Sequence, residues 1–375
     1  MNTSSDDISN ILLVVPYQLN IWFGSFLWIT GNIGCIGNMI VLRSEKFRKQ
    51  AYSIYLFSSA ISDFHYFNFV LLTRILQKGF QISLINHYII ICKLRQFSTL
   101  WGNVVSFSLF SFAIIDRFLS THRSYTYRQW SNRIYIAYKM VIIIPLFWFL
   151  LIGHRIIFYS IQNGICGPLE GFYEYYDNYF QVIFSSICPA LIMSILAYFL
   201  IKNVHTITRR KTLPINNISS CINRNNPIIN QIDKQLTIML ISESLITILT
   251  YIPYAIELTY LNISQTWYKT PLQLAWEKIF AELIDLISYI FFATSFYVSI
   301  ISNNGFRRTI KEILLMNFLY FLIHSMKKKI VYIYGDMETI MPLGFEVMKY
   351  KNKNEQVDYI VHVGDIAYSI NDSNC

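Results

Sequence analysis

Several ionisable residues stand inside or at the ends of long apolar stretches of this sequence. Asp63 lies within SSAISDF, and Asp116-Arg117-Phe118 follows an apolar run. A charge inside a span that crosses a membrane is costly, so such residues usually bind an ion or pair with one another. The Asp116-Arg117 pair has two interpretations, which are an acid and a base that cap a helix at a membrane surface, or a charge-based switch.

A second set of residues suited to chemistry lies near the end of the chain. Gly335-Asp336 follows the short apolar segment IVYIY, and Gly364-Asp365 follows VDYIVHV, with Tyr368 close behind. We predict two strands here, with a polar, helix-like stretch between them. Two aspartates at the ends of adjacent strands can point at one place, where their carboxylates could hold a metal for hydrolysis.

Composition indicates the kind of elements that position these residues. The chain of 375 residues is 54% hydrophobic and 14% charged, whereas soluble domains are about 25% charged. We therefore expect a bilayer as the solvent and membrane lipids as partners. The formal charge of +9 does not predict nucleic-acid binding, because the basic residues are spread over loops and form no single patch. The six cysteines lack the paired spacing of a zinc site, and the first residues lack the basic segment of a signal peptide.

Seven stretches are apolar over the length of about 20 residues that a helix needs to cross a bilayer. They cover residues 19–42, 52–76, 96–119, 138–158, 179–202, 235–259 and 281–302. The pattern predicts an all-α membrane protein with a seven-transmembrane helix bundle. A transporter or channel would also have many spans, but such proteins show repeated halves or broken helices. The sequence has no internal repeat.

The basic residues of the loops predict an orientation for the bundle. Lys and Arg concentrate in the loops after the first, third and fifth spans and beyond the seventh, whereas residues 159–178 contain acids and no base. An excess of Lys and Arg is typical of cytoplasmic loops. We therefore predict a multi-pass protein of the cell membrane with its amino terminus, residues 1–18, outside the cell.

Five residues at characteristic positions in the spans resemble the rhodopsin-like (class A) G-protein-coupled receptors. They are Cys92, Arg117 within Asp116-Arg117-Phe118, Trp148, Pro189 and Pro253. The resemblance implies a disulfide between Cys92 and Cys166, a heterotrimeric G protein as partner, and signal transduction without bond-making chemistry.

The resemblance also implies roles for acids within the bundle. Asp63 and Ser106 stand at the positions of a sodium site, so the resemblance implies no cofactor for the receptor other than a sodium ion that could bind there. Asp233, which lies 20 residues before Pro253, matches an acid that pairs with the motif arginine in the inactive state. A latch between Arg117 and Asp233 is one interpretation, and two solvated interfacial charges are the other.

The sequence departs from the family pattern at several switch positions. Phe118 replaces a tyrosine, and Tyr251 stands where the family has Trp or Phe before the proline of span six. The Asn-Pro-x-x-Tyr motif is absent from residues 293–299, although Phe306-Arg307 resembles the start of the family's helix eight. The expected architecture is thus a seven-helix bundle with a short helix eight, followed by a small α/β fragment.

Residues near the predicted outer surface suggest a class of ligand. Thr99 stands where amine receptors have an aspartate, and span seven has no lysine that could hold retinal. The segment GPLEGFYEYYDNYF is acidic and aromatic, and both properties attract cations. It predicts a basic or amidated neuropeptide, unless the loop is acidic only to stay soluble. The candidate ligand-binding residues are Thr99, Glu170, Glu174, Asp177, Glu257 and Asp285.

The tail resembles the beginning of the catalytic domain of purple acid phosphatases. That resemblance implies that Asp336 binds a ferric ion, that Asp365 bridges two metals and that Tyr368 is the charge-transfer ligand. The family's Asn-His-Glu block and later histidines are absent. A di-metal centre of iron with zinc or iron is therefore expected to be incomplete. We expect that the chain is not an enzyme, and metal-dependent phosphatase activity is the alternative.

The expected organisation has four parts. They are an extracellular amino terminus at 1–18, a receptor domain at 19–302, helix eight and a linker at 303–326, and a truncated metallophosphatase-like fragment at 327–375. The fragment is either a truncated fusion or the product of two neighbouring genes joined in one reading. Residues 313–325 either continue helix eight at the interface or form an eighth span.

Overall fold

The computed structural model describes residues 12, 14–121, 133–211, 227–313, 315, 347–349 and 359–361. The chain divides into two compact units, Met1–Ile313 and Leu314–Cys375. Within the described residues, the first unit is a bundle of long helices with one hairpin, and the second contains a two-stranded sheet.

Long helices make up most of the first unit. They are α1 (Val14–Leu42), α2 (51–79), α3 (Ile89–Thr121), α4 (Ile134–Phe158), α5 (172–211), α6 (Pro227–Ile263) and α7 (Pro271–Ser302). Six of them, all except α2, are long and apolar enough to cross a membrane. This part of the chain therefore has the architecture of a multi-pass membrane protein.

Helix α2 coincides with the second predicted span but is more polar than the other long helices. It carries Asp63, His65, Arg74 and Lys78, and it winds into π-helical turns at Tyr66–Leu71 and again near its end. Much of it is buried against the bundle: Phe67, Val70 and Leu71 are all 0% exposed, and Asp63 and Arg74 are each 6% exposed. A helix packed on protein can carry charges that a lipid-facing helix cannot.

The other six predicted spans lie within helices that all begin before the predicted start, and three of these helices end at the predicted residue, 42, 158 or 302. The seventh, predicted at 281–302, lies within a helix that begins ten residues earlier at Pro271. Thr270 caps that start, because its side chain accepts a hydrogen bond from the Gln273 backbone N–H at 3.3 Å, and proline is well suited to the first helical position. Hydropathy marks the apolar part of a helix and misses its polar first turns.

Aromatic side chains hold the centre of the bundle together. The Phe107 ring of α3 stacks on Phe291 of α7 with centroids 4.5 Å apart, and Tyr251 of α6 meets it edge-on at 4.5 Å. On the other side, α1 approaches α2 at Gly31, where an added Cβ would overlap the Phe67 ring. The core therefore runs from α1 through α2 and α3 to α6 and α7.

A hairpin connects α4 to α5. Strands β1 (Tyr159–Gln162) and β2 (Ile165–Pro168) pair antiparallel with Gln162 opposite Ile165. The two residues between them, Asn163 and Gly164, have φ of 50° and 76°, which is the requirement of a type I′ turn.

The predicted acidic loop is wrong in its second half. Residues 167–180 were expected to be a loop, but α5 begins at Phe172, directly after Gly171 with φ 102°. The acidic and aromatic residues from Phe172 onward therefore lie on the first turns of a helix. The charged residues lower the hydropathy of these turns, so hydropathy did not predict that they are helical.

A short helix follows the bundle. Residues 304–313 form α8, and the Asn303 side chain caps it by accepting hydrogen bonds from the backbone N–H groups of Gly305 at 2.9 Å and Phe306 at 3.2 Å. The Phe306 ring is buried and packs edge-on against Phe47 at 6.0 Å. This helix lies where the sequence predicts helix eight.

The second unit contains strands β3 (Val347–Lys349) and β4 (Tyr359–Val361), paired antiparallel with Met348 opposite Ile360. Strand β4 falls within the predicted strand VDYIVHV. The helix-like stretch predicted before it is wrong at Val347–Lys349, which is extended because those residues pair with β4.

Candidate functional site

The bundle has two ends, and polar residues collect at both. The end that contains Asn20, Arg74, Cys92 and Glu282 is called the disulfide end below, and the opposite end, with Asp116 and Arg117, is called the Arg117 end. A third polar cluster lies between them around Asp63. Each of these groups contains residues that the sequence singles out.

A disulfide ties the hairpin to the start of α3. The sulfur atoms of Cys92 and Cys166 are bonded, with the two Cα atoms 5.8 Å apart. The backbone N–H of Cys166 also donates to the Asn86 side chain at 3.1 Å. The predicted cysteine pair is therefore present, and it fixes β2 over the disulfide end.

Replacing Cys166 with serine is expected to lower the free energy of unfolding by about 2–4 kcal/mol, because the bond restrains a long loop of the unfolded chain. Cys92→Ser should have the same effect, and the double variant should be no worse than either single one. Unfolding of the purified protein in detergent measures the change.

The control for the disulfide variants is Cys188→Ser, since Cys188 is a free, half-buried cysteine. Its effect should stay within about 0.5 kcal/mol. A Cys166→Ser protein as stable as the Cys188→Ser protein would contradict the structural role of the bond.

A fully buried ion pair lies beneath the hairpin. Arg155 of α4 donates to both carboxylate oxygens of Asp177 in α5, at 2.8 and 3.0 Å, and the two side chains are 0% and 1% exposed. Arg155 also donates to the Gln96 carbonyl at 3.1 Å and to the Gln181 side chain at 3.0 Å. The pair thus joins α3, α4 and α5.

Tyr159 completes this cluster from β1. Its hydroxyl donates to Asp177 at 2.5 Å. Burial raises the pKa of the Tyr159 hydroxyl against the opposing effect of Arg155, so the group remains a hydrogen-bond donor. With its carboxylate enclosed by Arg155 and Tyr159, Asp177 is placed to hold the fold together and not to contact a ligand as predicted.

A second ionic network joins α1, α2 and α7 at the disulfide end. The Glu282 carboxylate accepts hydrogen bonds from Arg74 at 2.5 Å, Lys78 at 2.5 Å and Asn20 at 3.1 Å. Arg74 also donates to Asp285 at 2.9 Å. Asp285, a predicted ligand-binding residue, is therefore already paired within the bundle.

The remaining predicted ligand-binding residues differ in availability. Thr99 donates to the Arg95 carbonyl of its own helix at 2.8 Å. Glu170 is exposed and Glu174 half-buried, and neither carboxylate has an ion-pair partner in the described parts of the chain. Glu257 is 9% exposed, and its Oε2 has no hydrogen-bond partner among the described residues.

The polar centre of the bundle contains the predicted sodium-site residues. The Ser106 hydroxyl donates to Asp63 at 2.5 Å and lies 2.9 Å from the Ser59 hydroxyl. A carboxylate and two hydroxyls supply only oxygen ligands, the type that a hard cation prefers, so these residues fit sodium.

A buried acid that the sequence analysis missed lies elsewhere in α6. Glu243 is 2% exposed, and its Oε2 has no hydrogen-bond partner within the described ranges. Its position in an apolar helix was the available signal. Further along α6, the predicted switch residue Tyr251 accepts a hydrogen bond from Asn103 of α3 at 3.4 Å, two residues before Pro253 interrupts the helical hydrogen bonds.

The Arg117 end contains the predicted switch. Arg117 is 4% exposed, and its guanidinium lies 3.8 Å from the centroid of the Tyr52 ring of α2, a distance typical of a cation–π contact. The preceding residue, Asp116, is also buried. The ring centroid of the following residue, Phe118, lies 6.0 Å from that of Phe199 in α5. Tyr52 is a contact that sequence reasoning missed, because its spacing carries no signal.

Other predicted residues lie outside what the structure describes. Asp233 belongs to helix α6, but its side chain is outside the described part, so the Arg117–Asp233 latch stays a prediction. Asp336, Asp365 and Tyr368 are outside it altogether. Within the described ranges, no group of three or more His, Cys, Asp or Glu side chains is arranged to hold a metal ion.

The structure thus brings Cys92 to Cys166 and Asp63 to Ser106, and it pairs Asp177 and Asp285 with arginines. Comparison with known proteins adds no relative, because no protein-family model and no curated protein matches the sequence.

Proposed function

We propose that this chain is a rhodopsin-like G-protein-coupled receptor with seven spans. In this proposal α2 crosses the membrane together with the six apolar helices, and α8 is the family's helix eight. The single observation that carries the proposal is the position of Arg117. It is buried at the end of α3, and a disulfide joins the other end of the same helix to the α4–α5 hairpin. The resemblance implies this combination for the receptor family.

The orientation in the proposal places the disulfide end outside the cell. Disulfides form in oxidising compartments, and the loops next to the Arg117 end are rich in Lys and Arg, as cytoplasmic loops are. A G protein would then approach the Arg117 end, and agonists would approach the disulfide end.

For the agonist we propose a basic or amidated peptide. Of the acids near the hairpin, Glu170 and Glu174 lack an ion-pair partner in the described chain, and the neighbouring Phe172 and Tyr175 rings are 87% and 64% exposed. Such a surface suits a cation, which carboxylates and aromatic rings both attract. Agonist binding would favour a pre-existing state in which α6 moves outward.

Screening a peptide library in cells that contain the protein and a promiscuous Gα reporter tests this function. A basic or amidated peptide should activate the reporter, and Arg117→Ala should reduce the maximal response by about tenfold or more. The matched control is Arg43→Ala, because Arg43 is an exposed arginine at the same end of the bundle, and its response should be unchanged.

Two outcomes of that screen would contradict the proposal. Activation by an acidic peptide or a lipid alone would exclude the peptide class. An ion current without agonist in cells that display the protein would favour a channel or transporter instead.

A further inference from the structure

A groove between α6 and α7 opens on the outer surface of the bundle. Its volume is about 480 Å³, and its lining includes Pro253, Ile256, Glu257, Phe280 and Ile284. Ile256 and Phe280 are 66% and 55% exposed, on two of the helices that are apolar enough to cross a membrane. The volume falls in the usual range for small-molecule sites, about 300–1,000 Å³.

One carboxyl oxygen in the wall of this groove lacks a hydrogen-bond partner in the part of the chain that the structure describes. Glu257 is 9% exposed, and its Oε2 has no hydrogen bond among the described residues. A buried carboxylate without an opposite charge or donor is strongly unfavourable. The groove thus combines an apolar body with a single site that calls for a donor.

Two of the cations nearby in the bundle, Arg74 and Lys78, are already engaged with other acids. Arg74 pairs with Glu282 and Asp285, and Lys78 pairs with Glu282. Neither Arg74 nor Lys78 forms an ion pair with Glu257 in the described structure.

The other acid of the groove is saturated. Glu277 accepts hydrogen bonds from Lys269 at 2.5 Å, Tyr260 at 2.7 Å and Gln273 at 3.1 Å. The Glu277 carboxylate is therefore satisfied without a ligand. Of the two acids in the groove, Glu257 is the one that would favour an occupant with a hydrogen-bond donor.

The depth of Glu257 suits a head group. It lies six residues before the end of α6 at Ile263, which is about 9 Å along the helix axis. Pro253 lies about one turn deeper. An amphiphile could therefore place its polar group at Glu257, near the membrane surface, while its apolar chain extends along Pro253 and Ile284.

We propose that this groove binds a long-chain amphiphile with a protonated amine, whose ammonium pairs with Glu257. The site lies apart from the surface proposed for the peptide agonist, and it depends only on α6 and α7 spanning the membrane. An ammonium is the chosen head group because it supplies both hydrogen-bond donors and the charge opposite to a carboxylate, whereas an alcohol supplies only a single donor.

The test uses the full-length protein in phosphatidylcholine nanodiscs and two photoreactive probes, hexadecylamine and hexadecanol, each with a diazirine in its chain. The amine should label residues 253–261 and 280–284 saturably, with competition by unmodified hexadecylamine. The alcohol should label them about tenfold less, the difference expected for one charge-assisted hydrogen bond. This comparison needs no variant, so it remains valid if a substitution disturbs folding.

Variants then identify the carboxylate. Glu257→Gln should reduce labelling by the amine about tenfold, whereas Glu277→Gln, a change of the other acid in the groove, should leave it unchanged. Equal labelling by amine and alcohol, labelling spread evenly over all lipid-facing helices, or full labelling of a folded Glu257→Gln protein would each overturn the proposal. None of these outcomes depends on G-protein coupling.

Discussion

Asp177→Ala is expected to lower the free energy of unfolding by about 3–5 kcal/mol, because it leaves the Arg155 guanidinium buried without its counter-charge. The pair is among the most enclosed in the described structure, with side chains 0% and 1% exposed. Arg155→Ala should have an effect of the same size. Reversible unfolding of the purified protein in mixed detergent micelles measures both.

Two comparisons isolate the ion pair from the helix. Glu174→Ala removes an acid one turn earlier in α5 that has no ion-pair partner within the described residues, and its effect should stay within about 0.5 kcal/mol. The double variant Arg155→Met with Asp177→Leu should be more stable than either single alanine variant, because apolar residues can replace a buried pair. If Asp177→Ala were no worse than Glu174→Ala, the pair would have no structural role.

Glu282→Ala is the second substitution with a large expected effect, again about 3–5 kcal/mol. Its carboxylate accepts hydrogen bonds from Arg74, Lys78 and Asn20, so its loss removes the acid that joins α1, α2 and α7 and one of the two counter-charges of the buried Arg74. The same unfolding measurement applies, and the start of α7 should separate from α1 and α2 before the rest of the bundle unfolds. Protection of backbone amides from hydrogen exchange would report that local opening.

Lys78→Ala provides the matched control for Glu282. Lys78 contacts the same carboxylate, but its side chain is 39% exposed whereas that of Arg74 is 7% exposed. Solvent screens such a contact, so the loss should be below about 1 kcal/mol. A larger loss for Lys78→Ala than for Glu282→Ala would show that the network is held in another way.

The sequence predicted the long helices well because crossing a membrane demands a local property, a run of apolar residues. It predicted their starts poorly, as at Pro271 and Phe172, because polar first turns lower the hydropathy. The hairpin was not predicted, although Asn163-Gly164 is a strong local signal for a two-residue hairpin turn.

The ionic pairs could not be predicted because their partners are far apart in the chain. Arg74 and Glu282 are separated by 208 residues, and hydropathy does not tell which way a charged side chain turns inside a bundle. The sequence therefore does not show that Asp177 and Asp285, which it offers as ligand-binding candidates, pair with arginines inside the bundle. The disulfide was predictable only through the family resemblance, which supplied the pairing of Cys92 with Cys166.

Formation of a complex with nucleotide-free Gα is the most direct test of the proposed receptor function. The full-length protein in nanodiscs would be mixed with purified Gα subunits of each class after removal of nucleotide. The account predicts a complex with at least one class, which GTP dissociates and which the folded Arg117→Ala variant does not form. No complex with any class, or a complex that neither GTP nor Arg117→Ala affects, would contradict it.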